Sequence, residues 1–332
     1  MGEFDLIRRY FKRPARHAAV GVGDDCALLQ PAPCTQMAIS CDMLVQGRHF
    51  FADVNPRSLG HKALAVNLSD LAACGAKPLA FTLALALPNV NELWLADFAL
   101  GLFELADGFD CELIGGDTTA GPLNICITVF GEVPVVNGRS MALLRSGAKA
   151  GDDLYVSGTL GDARLALDVQ QGKLTVPDDI VAAARARLER PTPRVALGLA
   201  LRGIATAAID VSDGLMGDLS HILENSGVGA CVQVDQVVNT IACYAHSAKS
   251  GILPAANLAL EHWRALALCG GDDYELLFTA PPRLRAAVAA AALAGKTPVH
   301  RIGHIESAAG LRLVDDQGQA LPNHYASFDH FA

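Results

Sequence analysis

The amino-acid sequence predicts an α+β fold in two domains, on three observations. The chain has 332 residues, and at roughly 150 residues per domain this length favours two domains. Apolar residues make up 51% of the chain and charged residues 18%, which is enough apolar surface for a large buried core. Helical and strand patterns mix along the chain without regular alternation, which favours α+β over a doubly wound sheet.

The first half of the chain alternates short predicted strands with helices. Pro56 stands at the favoured first position of a predicted helix. This helix runs to about Ala73, and Gly75 is the signal that ends it. This helix is apolar on most faces and is therefore predicted to be internal. A second helix is predicted over 91–107. Apolar runs predict buried strands over 36–40 and 79–87 and further strands over 111–114 and 123–133.

The second half begins after a segment of small and polar residues at 145–152, where we place the domain boundary. The predicted domains are 1–147 and 148–332. Strands are predicted over 153–157, 207–211 and 274–279. Helices are predicted over 162–170, 178–189, 215–225 and 260–268.

Charge and cysteine usage exclude several classes of protein. The chain has 26 Lys+Arg and 35 Asp+Glu, a formal net charge of −9, which argues against nucleic-acid binding. No apolar stretch approaches the ~18 residues of a membrane span, and no apolar segment follows the basic N-terminus as in a secretory signal. The nine cysteines are scattered and form no Cys-x-x-Cys pair, as expected in a reducing cytosol. We therefore expect a cytoplasmic protein without nucleic-acid or membrane partners.

Short clusters of Gly, Ser, Asn and Asp lie at or near the ends of apolar runs. A single aspartate there is ordinarily a helix cap or part of an Asx-turn. Repeated clusters in one acidic chain bring carboxylates together, and these repel one another unless a cation lies between them. Mg²⁺ combines carboxylates with substrate phosphates, and glycine allows close approach of backbone to phosphate. The clusters, which predict a Mg²⁺–polyphosphate site, are 21–25, 40–42, 67–70, 115–119, 209–214 and 270–273.

Motifs of other nucleotide-binding and catalytic sites are absent. The sequence contains neither the P-loop pattern nor the protein-kinase motif set. The segment 21–26 (GVGDDC) lacks the third glycine of the dinucleotide fingerprint. His49, His61 and His221 are isolated in the sequence, which favours ordinary packing or surface roles over histidine metal ligation.

Six motifs together resemble thiamine-monophosphate kinase, a family of the aminoimidazole-ribonucleotide synthetase superfamily. The similarity runs in order from residues 2–4 to 328–331. The resemblance implies an N-terminal α/β domain that dimerises through its sheet, a C-terminal α+β domain and an active site in the cleft between them. It also implies the reaction of ATP with thiamine monophosphate to give ADP and thiamine diphosphate. The motifs are 21–28 (GVGDDCAL), 39–45 (ISCDMLV), 62–76 (KALAVNLSDLAACGA), 113–119 (LIGGDTT), 209–215 (IDVSDGL) and 270–276 (GGDDYEL).

The resemblance also assigns site residues, motif by motif. Several Mg²⁺ ions would be bound by Asp25, Ser40, Cys41, Asp42, Asp70, Asp117, Asp210 and Asp213. ATP would be bound by Gly116, Asp117, Arg145 and Ser212. Thiamine monophosphate would be bound by His49, Asp272 and Phe328.

Two of these positions depart from the family pattern. Cys41 stands where threonine is usual, and a neutral thiol is a poor Mg²⁺ ligand, so we expect its backbone carbonyl to take that role. Asp272 stands where glutamate is usual, which shortens its reach by one methylene.

The expected chemistry needs no general base. The acceptor is a phosphate monoester whose second pKa near ~6 leaves it largely dianionic at neutral pH. It needs relief from repulsion by the γ-phosphate of ATP and a position for in-line attack. We expect Mg²⁺ and the positive charge of Arg145 to provide that relief, and direct transfer without a phospho-enzyme.

Two other readings of the motifs remain. One is another ATP-consuming enzyme of the superfamily, such as aminoimidazole-ribonucleotide synthetase or selenophosphate synthetase. Selenophosphate synthesis is disfavoured because the first cysteine, Cys26, lies inside the Gly-Asp-Asp turn without the nearby lysine typical of that enzyme. The other is a nucleotide-sensing or scaffold protein that binds ATP without turnover. ADP release with and without thiamine monophosphate separates these readings.

Overall fold

The computed structural model describes residues 2–242, 244 and 258–325. The chain divides into two compact units, one of Met1–Leu71 with Ala76–Ala142 and one of Ala72–Gly75 with Leu143–Ala332. Each unit contains its own sheet and its own helices. The α+β fold predicted from the sequence is confirmed. No helix in the described ranges combines the length and the apolarity needed to cross a membrane.

The first unit is built on a sheet with the strand order β3-β6-β4-β5. β4 and β5 are parallel, and the other pairs are antiparallel. β1 and β2 form a separate antiparallel pair. The strands are β1 (Ala18–Val20), β2 (Leu28–Leu29), β3 (Thr35–Val45), β4 (Lys77–Leu87), β5 (Glu112–Ala120), β6 (Asn124–Val136) and β7 (Arg139–Ser140), which pairs with β6.

Two strands of this sheet, β3 and β5, are more than twice as long as their sequence patterns predict. The prediction of a buried strand over 36–40 is wrong in length and in burial. β3 continues along β6 as far as Val45, opposite Asn124, and one of its faces is exposed. β5 continues past the predicted 111–114 because its Gly-Gly-Asp segment stays paired with β4. Both β3 and β5 thus continue beyond the apolar runs that predicted them. Hydrogen bonds to the neighbouring strands keep the following polar residues in the sheet.

Two helices of the first unit, those over 56–73 and 92–108, agree with the sequence patterns, and the N-terminal helix was not predicted. The helices are α1 (Glu3–Leu6), which continues as a π-helix over Ile7–Phe11, α2 (Pro56–Ala73) and α3 (Glu92–Gly108). α2 is internal as predicted, since Leu64 and Leu68 are fully buried. The side chain of Asn91 caps α3 by accepting hydrogen bonds from the backbone N–H groups of Leu93 and Trp94, both at 3.1 Å.

The second unit is built on a seven-stranded sheet with the order β14-β13-β10-β12-β8-β11-β9. Its strands are β8 (Asp153–Ser157), β9 (Ala207–Val211), β10 (Gly229–Gln233), β11 (Glu275–Ala280), β12 (Val299–Glu306), β13 (Gly310–Val314) and β14 (Ala320–Leu321). Its helices include α4 (Asp162–Gln170), α5 (Asp178–Glu189), α6 (Val195–Ala200), α7 (Leu215–Ser226), α8 (Val234–Val238), α9 (Leu260–Cys269) and α10 (Arg285–Ala294), with a 3₁₀ turn at Pro282–Leu284.

The hydrophobic core of the second unit lies between this sheet and its helices. Val156 of β8 and Val211 of β9 are fully buried in it, together with Leu215 and Leu219 of α7. Each side chain of this size contributes about 1.5–3 kcal/mol when it is fully buried. α7 begins directly after β9, so this core holds the turn between them against the sheet.

A buried ion cluster joins the strands to the helical layer of the second unit. The carboxylate of Glu275, at the start of β11, is fully buried. It accepts hydrogen bonds from Arg187 Nη2 at 2.7 Å, from Arg194 Nε at 2.6 Å and from Ser157 Oγ at 2.6 Å. Two guanidinium groups and a hydroxyl thus stabilise a charge that would otherwise be costly to bury.

We predict that Glu275→Gln destabilises the protein by about 3–5 kcal/mol, because it leaves two largely buried guanidinium groups without their counter-charge. Urea unfolding followed by far-UV circular dichroism measures the loss. Glu92→Gln is the control, since Glu92 is exposed and pairs with the exposed Arg9, and such surface ion pairs contribute about 0–1 kcal/mol. Equal effects of the two substitutions would contradict this account of the cluster.

Candidate active site

A cavity of about 600 Å³ in the first unit brings several predicted site residues together. Asp25, Gly116 and Asp117 all line it, as do the acidic residues Glu3 and Asp24, which the sequence analysis did not assign. None of the residues lining the cavity is lysine or arginine, although the ammonium group of Lys12 lies against Gly23 at its edge. Four carboxylates therefore share one cavity without a cationic side chain in its lining.

The backbone at Gly116 allows no other residue. Its φ of +139° is rarely adopted by L side chains, and a Cβ atom there would lie 1.8 Å from the carbonyl oxygen of Leu83 in the neighbouring strand. β5 can thus remain paired with β4 while it carries Asp117, which is exposed, into the cavity. The glycine predicted to allow close approach of a phosphate is also required by the sheet.

The polar clusters of β3 and α2 contact each other. Ser40 Oγ donates a hydrogen bond to Asp70 Oδ2 at 2.5 Å, and the backbone N–H of Asp42 donates to Asn67 Oδ1 at 3.0 Å. Asn67 is 1% exposed and was not assigned by the sequence analysis, although an amide in an otherwise apolar helix is a signal of such a role. The structure thus joins two clusters that are distant in sequence.

The thiol of Cys41 lies on the other face of β3 from Ser40 and Asp42. Side chains alternate along a strand, and the Cys41 sulfur lies 3.4 Å from the sulfur of Cys126 in β6. Burial and the Cys41 thiol raise the pKa of Cys126 to about 11. The thiol of Cys41 is therefore not placed to join the carboxylates, and only its backbone carbonyl remains for the predicted metal role.

His49 lies in the turn that follows β3. Its Nδ1 accepts a hydrogen bond from the backbone N–H of Val45 at 3.0 Å, and its own carbonyl oxygen lies 3.5 Å from Lys62 Nζ. The ring is half-buried and is not among the residues of the cavity described above. Contact of His49 with thiamine monophosphate stays a prediction.

In the second unit, the turn between β9 and α7 carries three predicted residues. Asp210 is 6% exposed on β9, and Ser212 and Asp213 follow it. The backbone N–H groups of Ser212 and Asp213 both donate to Asp218 Oδ2, at 3.1 Å each. The sequence analysis missed Asp218, although an acid in the first turn of a helix is a known signal for capping.

The electrostatics of this turn are dominated by acidic groups. Burial and the negative charge of Asp213 raise the pKa of Asp218 to about 7. Three backbone N–H groups, of Asp213, Ser212 and Gly214, act in the opposite direction but do not offset the burial. Asp218 is therefore partly protonated near neutral pH, while its carboxylate oxygen holds the backbone of Ser212 and Asp213.

The glycine-rich loop before β11 lies against the same turn. The backbone N–H of Asp272 donates to the carbonyl oxygen of Ser212 at 2.8 Å, and Tyr274 Oη donates to Asp272 Oδ1 at 3.2 Å. A Cβ atom on Gly271 would lie 2.5 Å from the Ser212 oxygen, so this contact requires glycine. The structure thus brings Asp272 next to Ser212 and Asp213. The sequence alone did not show that these two motifs are in contact.

The remaining predicted residues have less distinctive surroundings. Arg145 is exposed, and its carbonyl oxygen accepts a hydrogen bond from Ser226 Oγ at 3.3 Å. Phe328 lies outside the described residues. Arg145, Asp210, Ser212, Asp213 and Asp272 belong to the second unit, and the other described candidates belong to the first.

Comparison with known proteins identifies the family. Residues 23–133 match the AIR synthase related protein, N-terminal domain, and residues 149–316 match the AIR synthase related protein, C-terminal domain. Thiamine-monophosphate kinase of Salmonella typhimurium is 46% identical, over 100% of this chain and 98% of that protein. The chain belongs to the thiamine-monophosphate kinase family. The resemblance stated from the motifs is confirmed.

Solved structures of this family share the fold. The crystal structure of thiamine-monophosphate kinase from Stenotrophomonas maltophilia K279a has a TM-score of 0.81 and 45% identity, covering 92% of each chain. AaThiL complexed with AMPPCP and TMP has a TM-score of 0.72 and 27% identity, covering 91% of this chain and 89% of that one. The similarity therefore extends over both units of the present chain.

We predict that Gly116→Ala destabilises the protein by about 1–3 kcal/mol or more, since the added methyl group collides with the backbone of β4. Gly121→Ala is the matched control at the end of the same strand, because its added Cβ atom would meet Ala86 at an ordinary 3.6 Å. Thermal unfolding of the two variants measures the difference. A Gly116→Ala protein as stable as the control would show that β4 and β5 do not approach as described.

Proposed function

We propose that this protein transfers the γ-phosphoryl group of ATP to thiamine monophosphate, giving ADP and thiamine diphosphate. The observation that carries the proposal is the full-length similarity, at 46% identity, to a thiamine-monophosphate kinase. The related AaThiL structure carries AMPPCP and TMP, an analogue of the donor and the acceptor. The aspartate clusters described above supply the polar groups that such substrates require.

The donor set of the site fits Mg²⁺. Hard divalent cations prefer carboxylate oxygens, and the first-unit cavity has four carboxylates and no cationic side chain in its lining. When bound, Mg²⁺ neutralises the charge of the phosphates that would otherwise repel one another. The proposed ligands are Asp25, Ser40, Asp42, Asp70 and Asp117, the backbone carbonyl of Cys41, and Asp210 and Asp213 of the second unit.

The chain's own residues would bind and orient the nucleotide. At Gly116 no side chain stands between the backbone and a phosphate, and Asp117 follows it in the same cavity. The hydroxyl of Ser212 is held in place because its backbone is bound by Asp218 and by Asp272. Arg145 is exposed and adds positive charge that stabilises the transferring phosphoryl group.

Asp272 would recognise the thiamine end of the acceptor. The thiazolium ring is a cation, and the carboxylate of Asp272 is oriented by Tyr274 Oη and by the backbone contact with Ser212. His49 and the aromatic ring of Phe328 complete the proposed set, since an aromatic face suits a cationic ring. Because its carboxylate is held in position, Asp272 compensates in part for a side chain that is one methylene shorter than that of the usual glutamate.

The phosphate of the acceptor would attack directly. Its second pKa near ~6 leaves it dianionic at neutral pH, so no side chain has to remove a proton. The residues named above therefore act by position and charge, which is the usual basis of phosphoryl transfer. We propose in-line transfer without a covalent intermediate.

We further infer that the protein is a homodimer and is cytoplasmic. Ile39 and Met43 project from the same face of β3 and are 62% and 52% exposed, and a second copy of this sheet would cover them. Cys26, Cys34 and Cys41 are exposed free thiols, which suits a reducing compartment.

The proposed function is tested by ADP release with ATP alone, with thiamine monophosphate added and with thiamine added. We expect ADP release that depends on thiamine monophosphate, with thiamine diphosphate formed in equal amount and detected by chromatography. ADP release that does not depend on any acceptor would indicate a different ATP-consuming enzyme. Nucleotide binding without turnover would indicate a sensing protein and would contradict the proposal.

We predict that Asp70→Asn lowers kcat by orders of magnitude, because the near-isosteric amide removes a negative charge from the proposed metal site. The amide oxygen can still accept the hydrogen bond from Ser40. We therefore expect the metal-free protein to be at least as stable as the wild type, since repulsion among carboxylates is reduced.

Steady-state kinetics and chelator-treated thermal unfolding measure the two effects of Asp70→Asn. Asp107→Asn is the control, because Asp107 is an exposed acid that pairs with Arg13 in the same unit. Wild-type activity in Asp70→Asn would contradict the metal role. A marked loss of stability in the metal-free variant would show instead that Asp70 is a structural hydrogen-bond acceptor.

A further inference from the structure

A second group of potential metal ligands lies in the second unit, on β10 and β12. The sulfur of Cys231, a ring nitrogen of His304 and a carboxylate oxygen of Glu306 all lie within 4.8 Å of one another. None of these residues belongs to the motifs of the proposed active site. Cys231 and Glu306 are half-buried and His304 is exposed, so the group is accessible to solvent.

The sheet itself places these three side chains on one face. Cys231 and His304 are directly opposite each other in the antiparallel pair of β10 and β12. The neighbours Ala230 and Val232 are fully buried in the core, so the side chain of Cys231 points to the other face. Glu306 follows His304 by two residues and therefore lies on the same side.

Arg312, on the other neighbour of β10, orients the carboxylate of Glu306. Its Nε donates to Glu306 Oε2, while its Nη2 donates to the carbonyl oxygen of Ala308 at 2.8 Å. This leaves Oε1 facing His304 Nε2, at 3.3 Å. Arg312 thus holds one oxygen of Glu306 and leaves the other facing the imidazole, and a hydrogen bond of this kind orients a carboxylate that binds a metal.

We propose that Cys231, His304 and Glu306 form a Zn²⁺ site. One sulfur, one nitrogen and one oxygen ligand suit zinc, whereas Mg²⁺ prefers oxygen ligands alone. Three protein ligands leave the fourth tetrahedral position to water. The thiol loses its proton to solvent when the metal binds, so one proton is released for each thiolate–zinc bond formed.

A bound divalent cation favours the thiolate form of Cys231. The metal would link β10 to β12 through side chains, in addition to the backbone hydrogen bonds between these strands. Its binding would not depend on the substrates of the active site.

The test uses the full-length protein, which is reduced and stripped of metal by a chelator. Excess Mg²⁺ is then added so that it occupies the sites built from oxygen ligands. Co²⁺ is the probe, because a cobalt–thiolate bond produces a charge-transfer band in the near ultraviolet. The comparison is made in Cys41→Ser protein, since Cys41 and Cys126 are a second source of thiols. The variants added to this background are Cys231→Ser, His304→Gln and, as a control at an exposed thiol, Cys34→Ser.

We expect a saturable band in the background protein, bleached by an equimolar amount of Zn²⁺ and unchanged by Cys34→Ser. Cys231→Ser should abolish the band, and His304→Gln should weaken apparent Co²⁺ binding by at least about 10-fold. His304 is exposed, so its substitution does not threaten the fold. The absence of a band in the background protein, or a band that persists after Cys231→Ser, would overturn the proposal. His304, Glu306 and Arg312 would then form only a surface ion-pair network.

Discussion

Repulsion among carboxylates is the constraint on which the rest of this structure depends. In the first unit, four acidic side chains line one cavity. In the second, the pKa of Asp218 is raised to about 7 by burial and by its neighbour Asp213. Such groups remain close only if the fold holds them in place and a proton or a cation reduces their charge. The sheets, caps and tight turns of both units supply the first condition, and the proposed metal ions supply the second.

Glu275 shows how the same protein treats a carboxylate that has a structural role. It is fully buried, and Arg187, Arg194 and Ser157 satisfy its charge within the chain. The carboxylates around Gly116 are arranged differently, since the cavity that they share has no lining lysine or arginine. The charge of Glu275 is thus neutralised within the chain, whereas the acidic groups that face the cavity belong to the site proposed to bind charged substrates.

The sequence predicted several of the longer helices and the acidic clusters, because both depend on neighbouring residues, but it did not predict the helix Arg285–Ala294 or the strands β10 and β12. Pro56, Gly75 and Asn91 bound helices by local backbone chemistry, and the structure agrees at each. Long-range contacts could not be predicted in the same way. Arg187 and Arg194 are 88 and 81 residues from Glu275, and the extent of β3 depends on its pairing with β6. The family resemblance assigned the site residues, but the contact of Asp272 with Ser212 required the fold.

The central claim is that the phosphate of the acceptor attacks ATP directly. The stereochemical course at phosphorus tests this claim, using ATP made chiral at its γ-phosphorus with oxygen isotopes and thiamine monophosphate as the acceptor. A single in-line displacement inverts the configuration of the transferred phosphoryl group, so the account predicts inversion in the terminal phosphate of thiamine diphosphate. Retention would require two displacements through a phosphorylated side chain and would contradict the account.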